Sequence, residues 1–175
     1  MAQQPVYIYL IGIGSNQRSP HIGAPKQIVE QAIAALETSD IDVFIQSRIQ
    51  ESRPVGPSSR KYANAAVMVE SSLLPDALLA ELNAIEHHFG RQRTGQRWRA
   101  RTLDLDIILW SGGLWISDHP DLSIPHREYA NRHFVLGPCA EIASGWRDPI
   151  SGRTLRQLFH RLNRPKPLDR RQAAH

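Results

Sequence analysis

The sequence predicts an α+β protein with a ferredoxin-like core, in which strands and helices follow one another as βαββαβ. Three observations lead to this prediction: short apolar or alternating runs typical of strands, two longer segments with helical spacing, and their order. The chain has 175 residues, 41% of them hydrophobic and 22% charged, which suits one domain with its own core. We expect this domain to occupy residues 1–175, with its core at about 6–162 and a polar, basic tail at 165–175.

The first half of the chain supplies three strands and one helix. Val6–Ile13 is a near-continuous apolar run rich in β-branched and aromatic residues, which indicates a buried strand. Pro25 can begin a helix, after which apolar residues recur at helical spacing as far as Leu36. Ile41–Ile49 alternates apolar with polar residues and predicts a half-buried strand, and Tyr62–Glu70 alternates again.

The second half continues the same alternation. Pro75 begins a second helix, and Gly90 occupies the position typical of a glycine just past a helix end. Leu103–Trp110 then forms the fourth strand and completes the predicted core.

Additional elements are predicted after this core. Paired glycines turn the chain into a small hairpin with Leu114–Ile116, and a short helix is expected near Asn131–Ala143. A last helix begins after Thr154, which forms a capping-box pattern with Gln157.

Composition and the N-terminal sequence indicate the cellular location of the protein and the charge of its partners. The only cysteine, Cys139, excludes an internal disulfide and is expected to be a buried small hydrophobe in an intracellular protein. The N-terminal apolar stretch has no basic segment before it and is too short to span a bilayer. We therefore expect a cytoplasmic protein without a membrane partner. The formal net charge of +4 favours partners that carry negative charge.

A pair of acidic residues stands on the fourth predicted strand. Asp104 and Asp106 are two residues apart, so both carboxylates leave one face, while Leu103, Leu105 and Ile107 leave the other toward the core. Two neighbouring carboxylates repel each other unless a cation lies between them. Mg²⁺ suits such a pair because it binds one or two carboxylates and completes its octahedron with waters and phosphates. The alternative is an amphipathic strand whose polar face is simply solvated.

An arginine-rich segment leads directly into this acidic strand. It contains five arginines and no acid: Arg91, Arg93, Arg97, Arg99 and Arg101. Guanidinium groups bind phosphate oxygens in a bidentate manner and stabilise charge on a group in transfer. Beside the acidic pair they favour phosphoryl transfer. The alternatives are a solvated basic loop, or an RNA contact with Trp98 as a stacking platform. No Walker A motif follows the first strand, so side chains would have to hold the phosphates.

Two further groups of polar side chains have simple structural explanations. Tyr62 and Asn64 share one face of the third strand, where an aromatic ring can stack on a planar heterocycle and an amide can read its edge. Without the context of other motifs, these two residues do not indicate a binding site. Half-buried packing of Tyr62 and a strand-end turn at Asn64 are then the favoured explanations. His87 and His88 are adjacent on a helix and point apart, which is typical of surface residues rather than metal ligands.

Six motifs occur in a characteristic order along the chain. They are GIGSN at Gly12–Asn16, ESRPVGP at Glu51–Pro57, YANAAVMVES at Tyr62–Ser71, IEHHFGRQR at Ile85–Arg93, the RW and RTLDLDIIL runs from Arg97 to Leu109, and SIPHREYANRHFVLGP at Ser123–Pro138. Together they resemble the 6-hydroxymethyl-7,8-dihydropterin pyrophosphokinase family of folate biosynthesis. The resemblance covers nearly the whole chain, from Val6 to about Leu162, and the RTLDLDI run with its downstream IPH is highly specific.

The resemblance implies a reaction and its cofactors. The diphosphoryl group of ATP, the co-substrate, passes to the hydroxymethyl oxygen of the pterin, and AMP is released. By position, Asp104 and Asp106 hold Mg²⁺, expected as two ions, and Asp104 lies near the attacking hydroxyl. The arginines that close over the phosphates correspond to Arg91 and Arg93, and Arg101 completes the expected catalytic set.

The resemblance also implies two sets of binding residues. The ATP-binding positions are Glu86, Arg97, Trp98, Arg101, Ile107, Ser123, His126 and Arg132. The pterin pocket corresponds to Ser52, Pro54, Val55, Tyr62, Asn64, Trp98 and Phe134. In this pocket Trp98 and Phe134 would stack on the ring, and Asn64 would read its edge.

The chain departs from the family pattern at five positions: Thr94, Arg99, Ala100, Asp121 and Arg127. Arg99 stands where glycine is usual, and Asp121 stands where a basic residue can contact ATP. The loop after Asn16 is also longer than usual. None of these departures removes a predicted metal ligand. They do affect the expected conformation of the arginine-rich segment and the expected affinity for the nucleotide.

Two alternatives remain open at this point. The chain can be a diverged paralogue with an altered pterin substrate or weak activity, or an RNA-binding module on the same fold. The RNA-binding hypothesis lacks the paired exposed aromatics of an RNA-recognition sheet and leaves the acidic pair unexplained. We expect a monomer whose partners are ATP and the hydroxymethyl dihydropterin, without nucleic acid.

Overall fold

The computed structural model describes residues 5–52, 62–90, 102–118 and 121–165. Several predicted site residues lie outside this part of the chain: Pro54, Val55, Arg91, Arg93, Arg97, Trp98 and Arg101. The strands are β1 (Tyr7–Ser15), β2 (Asp42–Gln46), β3 (Gln50–Ser52), β4 (Tyr62–Ser71), β5 (Asp104–Trp110), β6 (Trp115–Ser117) and β7 (Leu122–Ile124). The helices are α1 (Pro25–Leu36), α2 (Pro75–His88), α3 (His133–Ile142) and α4 (Leu155–Leu162), with a 3-10 turn at Tyr129–Asn131.

The main sheet is antiparallel, with the strand order β2-β4-β1-β5, and β3 also pairs with β4. Helix α1 connects β1 to β2, and α2 connects β4 to β5. This is the strand order of a split βαβ fold. The predicted ferredoxin-like α+β core is therefore confirmed.

The central strand β1 is buried on both faces. Tyr9, Ile11 and Ile13 belong to a core that includes residues of α1 and α2. Leu10 faces the other way, into a second core with residues of α3 and α4. Burial on two faces explains why the β1 sequence is a near-continuous apolar run.

A β-bulge in β5 changes which of its residues face each of the two cores. Leu10 lies opposite Leu109 and Ile11 opposite Ile107, so Ile108 is the extra residue. Ile108 and Leu109 both pack in the α3/α4 core, whereas Ile107 and Trp110 pack in the α1/α2 core. By alternation, the aspartates two and four residues before Ile108 share the α3/α4 face of the sheet.

The prediction for Ile41–Ile49 was wrong in its alternation of buried and exposed residues. Strand β2 is shorter, its register shifts between Val43 and Ile45, and Ile45 is 39% exposed. The irregularity breaks the period of two on which the prediction relied. It falls on a strand at the edge of the described sheet, where one side has no partner strand to hold a regular register.

The two predicted C-terminal helices form with shifted boundaries, as α3 and α4. The hairpin prediction was wrong in its pairing: the paired glycines were expected to fold Leu114–Ile116 back in a hairpin, but in the described structure Trp115–Ser117 pairs with the later segment Leu122–Ile124. At the N-terminus of α4, the Thr154 hydroxyl accepts a 3.2 Å hydrogen bond from the backbone amide of Gln157. The side-chain oxygen of Gln157 accepts a 3.0 Å hydrogen bond from the backbone amide of Thr154. This confirms the capping box. Within the residues described, no helix has the length and apolar character needed to cross a membrane.

Candidate active site

Three neighbouring strands present one row of residues to the α3/α4 side of the sheet. Gly14 on β1 lies opposite both Asn64 on β4 and Asp104 on β5. Directly opposed residues of antiparallel strands point to the same face. With strands about 4.8 Å apart, Asn64 and Asp104 are separated by about twice that distance. In the next row Asp106 lies opposite Gly12.

The acidic pair has the environment that the sequence predicted. Asp104 and Asp106 are half-buried and share one face of β5. On the other face, Leu103 is fully buried, Leu105 is 3% exposed and Ile107 is 2% exposed, all within the α1/α2 core. The buried apolar residues therefore hold β5 against the α1/α2 core. The two carboxylates leave β5 on its other face, the face that Gly12 and Gly14 of β1 share.

Side chains from other elements hold this strand in place. The Glu86 carboxylate on α2 accepts a 2.8 Å hydrogen bond from the backbone amide of Leu105. Glu86 is only 2% exposed. The Ser15 hydroxyl at the end of β1 donates a 2.6 Å hydrogen bond to the carbonyl of Thr102. These contacts secure the chain on both sides of Asp104.

The described residues of the expected pterin pocket lie on β3, β4 and the first turn of α3. Ser52 lies opposite Tyr62 in the ladder, and Asn64 lies on the same face of β4 as Tyr62. Asn64 is 7% exposed and sits within the strand, so the strand-end turn considered for it is wrong. Phe134 is 48% exposed in the first turn of α3, and its neighbour Val135 lies over Gly12 of β1.

Two residues of the expected nucleotide set take unusual positions. Glu86 is buried and binds the backbone of β5, as described above. The side chain of Ile107 packs in the α1/α2 core, on the face opposite the carboxylates. Leu105 directs its amide toward α2, away from β1, and alternation directs the amide of Ile107 to the same edge. Contact between Ile107 and a nucleotide would therefore involve its backbone.

The other nucleotide candidates lie on the segment that follows β5. Ser123 is half-buried on β7, and the amide of His126 donates a 3.1 Å hydrogen bond to the carbonyl of Ile108. The His126 Nδ1 accepts a 3.3 Å hydrogen bond from the amide of Glu128. Arg132 is exposed immediately before α3. Hydrogen bonding to β5 thus brings the His126 turn alongside the acidic strand.

The carboxylate pair fits Mg²⁺ better than a metal that needs a full set of protein ligands. Among the residues the structure describes, no group of three or more His, Cys, Asp or Glu side chains could hold a metal. Mg²⁺ needs only one or two carboxylates, since waters and substrate phosphates complete its octahedron. Gly14 has no side chain opposite Asp104, and a Cβ added there would meet only the Asn64 amide oxygen among the described residues, so this position leaves space for such ligands.

Two departures from the family pattern contact each other. Arg127 Nη2 lies 3.4 Å from Asp121 Oδ1, and both side chains are exposed. The substituted positions therefore form an ion pair at the surface. His87 and His88 are exposed, as predicted.

The predicted character of Cys139 is confirmed. It is fully buried, and burial raises the pKa of its thiol to about 12. Such a thiol packs as a small hydrophobe and is a poor nucleophile.

Gly12 and Gly14 belong to the GIGSN motif, but neither was predicted to be a site residue. A signal was present, because glycine inside an otherwise apolar strand often marks a close approach of a ligand or another backbone. The direct contact of Glu86 with β5 had no such signal, since it depends on how α2 packs.

The fold and these side chains define a class of protein. It is a ferredoxin-like α+β protein whose sheet presents a carboxylate pair suited to Mg²⁺, with a buried amide in the same row. Residues 10–144 match the family described as 7,8-dihydro-6-hydroxymethylpterin-pyrophosphokinase (HPPK). This chain belongs to that family.

Individual relatives agree with this assignment. A 2-amino-4-hydroxy-6-hydroxymethyldihydropteridine pyrophosphokinase of Synechocystis sp. is 40% identical over 155 residues, which are 88% of this chain and 75% of the relative. The protein of the same name from Haemophilus influenzae is 41% identical over 139 residues, 77% of this chain and 80% of the relative.

A solved structure has the same fold. The crystal structure of Plasmodium falciparum HPPK-DHPS A437G superposes with a TM-score of 0.70 at 13% identity, over 91% of this chain and 46% of that one. This chain therefore spans less than half the length of that protein, and the likeness concerns the fold alone.

Proposed function

We propose that this protein transfers the diphosphoryl group of ATP to the hydroxymethyl group of 6-hydroxymethyl-7,8-dihydropterin, giving AMP and the pterin diphosphate for folate biosynthesis. The observation that carries the proposal is the row formed by Asn64, Gly14 and Asp104. It offers an amide for a heterocycle at one end and a carboxylate for a metal-bound phosphate at the other. The family assignment supports the same reaction.

The proposed reaction forms one bond and breaks one. The hydroxymethyl oxygen bonds to the β-phosphorus, and the bond from that phosphorus to the oxygen bridging the α-phosphate breaks. AMP leaves with the electron pair of this bond, and the hydroxyl proton is lost. We assign Asp104 as its acceptor, because Asp104 shares a row with Asn64 and so lies nearer the pterin than Asp106 does.

Charge neutralisation is the main requirement of this chemistry. Mg²⁺, proposed as two ions on Asp104 and Asp106, would neutralise negative charge on the phosphates when bound. Arg91, Arg93 and Arg101 would bind the phosphate oxygens and orient the chain of phosphates for in-line attack. No covalent intermediate with the protein is required.

The pterin would lie across β4 toward α3. The Asn64 amide both donates and accepts, which matches the mixed donors and acceptors on the edge of a pterin ring. Tyr62 and the exposed ring of Phe134 offer apolar surfaces to its faces. The rest of the proposed pocket is made by Ser52, Pro54, Val55 and Trp98.

The nucleotide would lie along β5 and the segment after it. The proposed contacts are Glu86, Arg97, Trp98, Arg101, Ile107, Ser123, His126 and Arg132. Among these, we propose that Ile107 contributes its backbone and that Glu86 acts through β5, given their burial. We further propose a cytoplasmic monomer that acts on these two small molecules and binds no nucleic acid.

The products of a single turnover test the proposal. Phosphorus NMR of enzyme, MgATP and the hydroxymethyl dihydropterin should show AMP and a diphosphate ester in equal amounts. Asp106→Asn provides the control that should form neither product. A diverged paralogue of weak activity would give the same products slowly, whereas ADP with a monophosphate ester would refute the proposal.

A further inference from the structure

Tyr129 connects two residues of the expected nucleotide set through its backbone. Its amide donates a 3.2 Å hydrogen bond to the carbonyl of His126, and its carbonyl accepts a 3.3 Å hydrogen bond from the amide of Arg132. The amide of His126 in turn donates a 3.1 Å hydrogen bond to the carbonyl of Ile108 on β5. The position of Tyr129 therefore sets how His126 and Arg132 stand relative to each other and to the acidic strand.

The side chain of Tyr129 is buried in the α3/α4 core. It is 3% exposed and belongs to the same core as Leu136, Cys139 and Leu155. Its hydroxyl oxygen is buried and makes no hydrogen bond of good geometry with the residues that the structure describes. Such buried polar atoms are rare in native proteins, and packing alone does not explain the hydroxyl, because phenylalanine would fill the same space.

A buried carboxylate lies beside this hydroxyl. Asp148 is 6% exposed in the loop between α3 and α4, and its charge acts on Tyr129. Its Oδ1 accepts a 3.2 Å hydrogen bond from the amide of Ile150, and its Oδ2 accepts hydrogen bonds from the amide and the hydroxyl of Ser151. A carboxylate oxygen can accept two hydrogen bonds, so Oδ1 can also accept the hydroxyl of Tyr129.

The hydroxyl of Tyr129 remains a hydrogen-bond donor at neutral pH. Burial, followed by the negative charge of Asp148, raises the pKa of Tyr129 above its ordinary value. The protonated hydroxyl is attracted to the carboxylate, whereas a phenolate would be repelled by it. This attraction joins the turn after β5 to the loop before α4.

We propose that Tyr129 is a positioning residue for the nucleotide, because the attraction between its hydroxyl and Asp148 holds His126 and Arg132 where they bind ATP. Neither Tyr129 nor Asp148 touches the nucleotide in this arrangement. The inference rests on the proposed function, since it takes His126 and Arg132 as nucleotide contacts. It adds that the loop between α3 and α4, which has no residue in either binding set, controls nucleotide affinity through a buried carboxylate.

Tyr129→Phe tests this inference, because it removes the hydroxyl and keeps the ring in the core. We expect the KM for MgATP to rise about tenfold, as for the loss of one hydrogen bond to a charged group. The kcat should stay within about twofold of the wild-type value, because contacts made equally in the ground state and the transition state affect binding alone. Calorimetric titration with Mg²⁺ and an ATP analogue that has a methylene group between its α- and β-phosphorus atoms should show the same loss of affinity.

Asp148→Asn tests the partner of the hydroxyl. It should weaken binding of the analogue, and adding Tyr129→Phe to it should cause little further loss, because residues that act through one contact do not give additive effects. If the two losses add fully, the hydroxyl does not act through Asp148 and the inference is overturned. Asp148 also holds Ile150 and Ser151, so Tyr129→Phe alone decides the matter if Asp148→Asn fails to fold.

Tyr9→Phe is the matched control for the loss of a buried tyrosine hydroxyl. Tyr9 is fully buried in the α1/α2 core, where its hydroxyl donates a hydrogen bond to the carbonyl of Leu73. Tyr9→Phe should lower the melting temperature at least as much as Tyr129→Phe does, and it should leave the affinity for the analogue within about twofold of the wild-type value.

The outcomes separate this inference from the proposed function. If the wild type binds the analogue with Mg²⁺ and Tyr129→Phe binds it equally well, the hydroxyl does not position the nucleotide residues. If Tyr9→Phe loses as much nucleotide affinity as Tyr129→Phe, the effect is general loosening of the fold and the inference is overturned. If the wild type itself does not bind the analogue with Mg²⁺, the proposed function fails together with the inference.

Discussion

Glu86 on α2 accepts a 2.8 Å hydrogen bond from the backbone amide of Leu105, the residue between Asp104 and Asp106. The carboxylate is 2% exposed, and β5 lies at the edge of the described sheet, where this amide has no partner strand. A buried side chain thus takes the place of a neighbouring strand at the centre of the acidic pair. This contact links the packing of α2 to the position of both proposed metal ligands.

Removing this contact should affect stability and nucleotide binding together. Glu86→Ala leaves the buried amide of Leu105 without its acceptor, which costs about 1–3 kcal/mol of unfolding free energy. It should also weaken the binding of MgATP, since Asp104 and Asp106 are then held less firmly. Chemical denaturation and equilibrium titration measure the two effects.

Glu86→Gln is the matched control, because it keeps an oxygen acceptor of similar shape. It should stay closer to the wild type than Glu86→Ala in both measurements. If Gln proves as damaging as Ala, the negative charge of Glu86 matters more than its hydrogen bond to β5.

The acidic pair makes nucleotide binding dependent on a divalent metal. Asp106→Ala should abolish turnover and the Mg²⁺-dependent part of ATP binding. Its melting temperature should change little, because the carboxylate is half-buried and leaves the strand on the face opposite the α1/α2 core. Calorimetric titration of ATP in Mg²⁺ and in EDTA provides the measurement, and equal affinity in both would argue against a metal site.

Alternation along single strands was enough to predict part of the candidate site. It placed Asp104 and Asp106 on one face of β5 and Asn64 with Tyr62 on one face of β4, because the period of two holds within a regular strand. It failed in β2, where a register shift between Val43 and Ile45 interrupts that period.

Relations between strands were not available from the same reasoning. The row of Asn64, Gly14 and Asp104 depends on the register of β1 with two strands that are distant in sequence. The contact between Glu86 and Leu105 depends on the packing of a helix against a sheet edge. Both are tertiary features, and neither changes the local pattern of apolar and polar residues.

Cys139 should be inert to thiol reagents in the folded protein. It is fully buried, and burial raises the pKa of its thiol to about 12 from an ordinary value of 9.0. A chromogenic disulfide should react with it at neutral pH only as fast as the protein unfolds. Fast labelling of the native protein would show that the α3/α4 core opens locally at this residue.

The raised pKa of the Cys139 thiol should lower the free energy of unfolding at alkaline pH. Because its pKa is higher in the folded state, the thiol contributes its full stability below pH 9 and loses it as the pH rises toward 12. Between neutral pH and pH 10 this amounts to about 1 kcal/mol. Cys139→Ala should show a shallower decline of unfolding free energy over this interval, and a decline as steep as that of the wild type would assign the effect to other groups.

The arginine segment offers the last prediction, on the division between binding and catalysis. Arg101 directly precedes Thr102 in the sequence, and the carbonyl of Thr102 accepts a hydrogen bond from Ser15. Arg91 follows Gly90, which ends α2 with a φ of +90°. We predict that Arg91 and Arg93 contact the phosphates mainly in the transition state, whereas Arg97 and Arg101 contact them once ATP binds.

Interactions made only in the transition state lower kcat when they are removed, while those already made in the ground state lower affinity. Arg91→Ala should therefore reduce kcat by orders of magnitude with little change in nucleotide Kd, and Arg101→Ala should weaken binding as well. Arg99→Gly, which restores the residue usual in the family, is the control and should change little. Single-turnover kinetics beside equilibrium titration distinguishes these effects. If Arg91→Ala loses affinity and rate equally, Arg91 binds the ground state and the transition state alike, and the proposed division between the two pairs of arginines is incorrect.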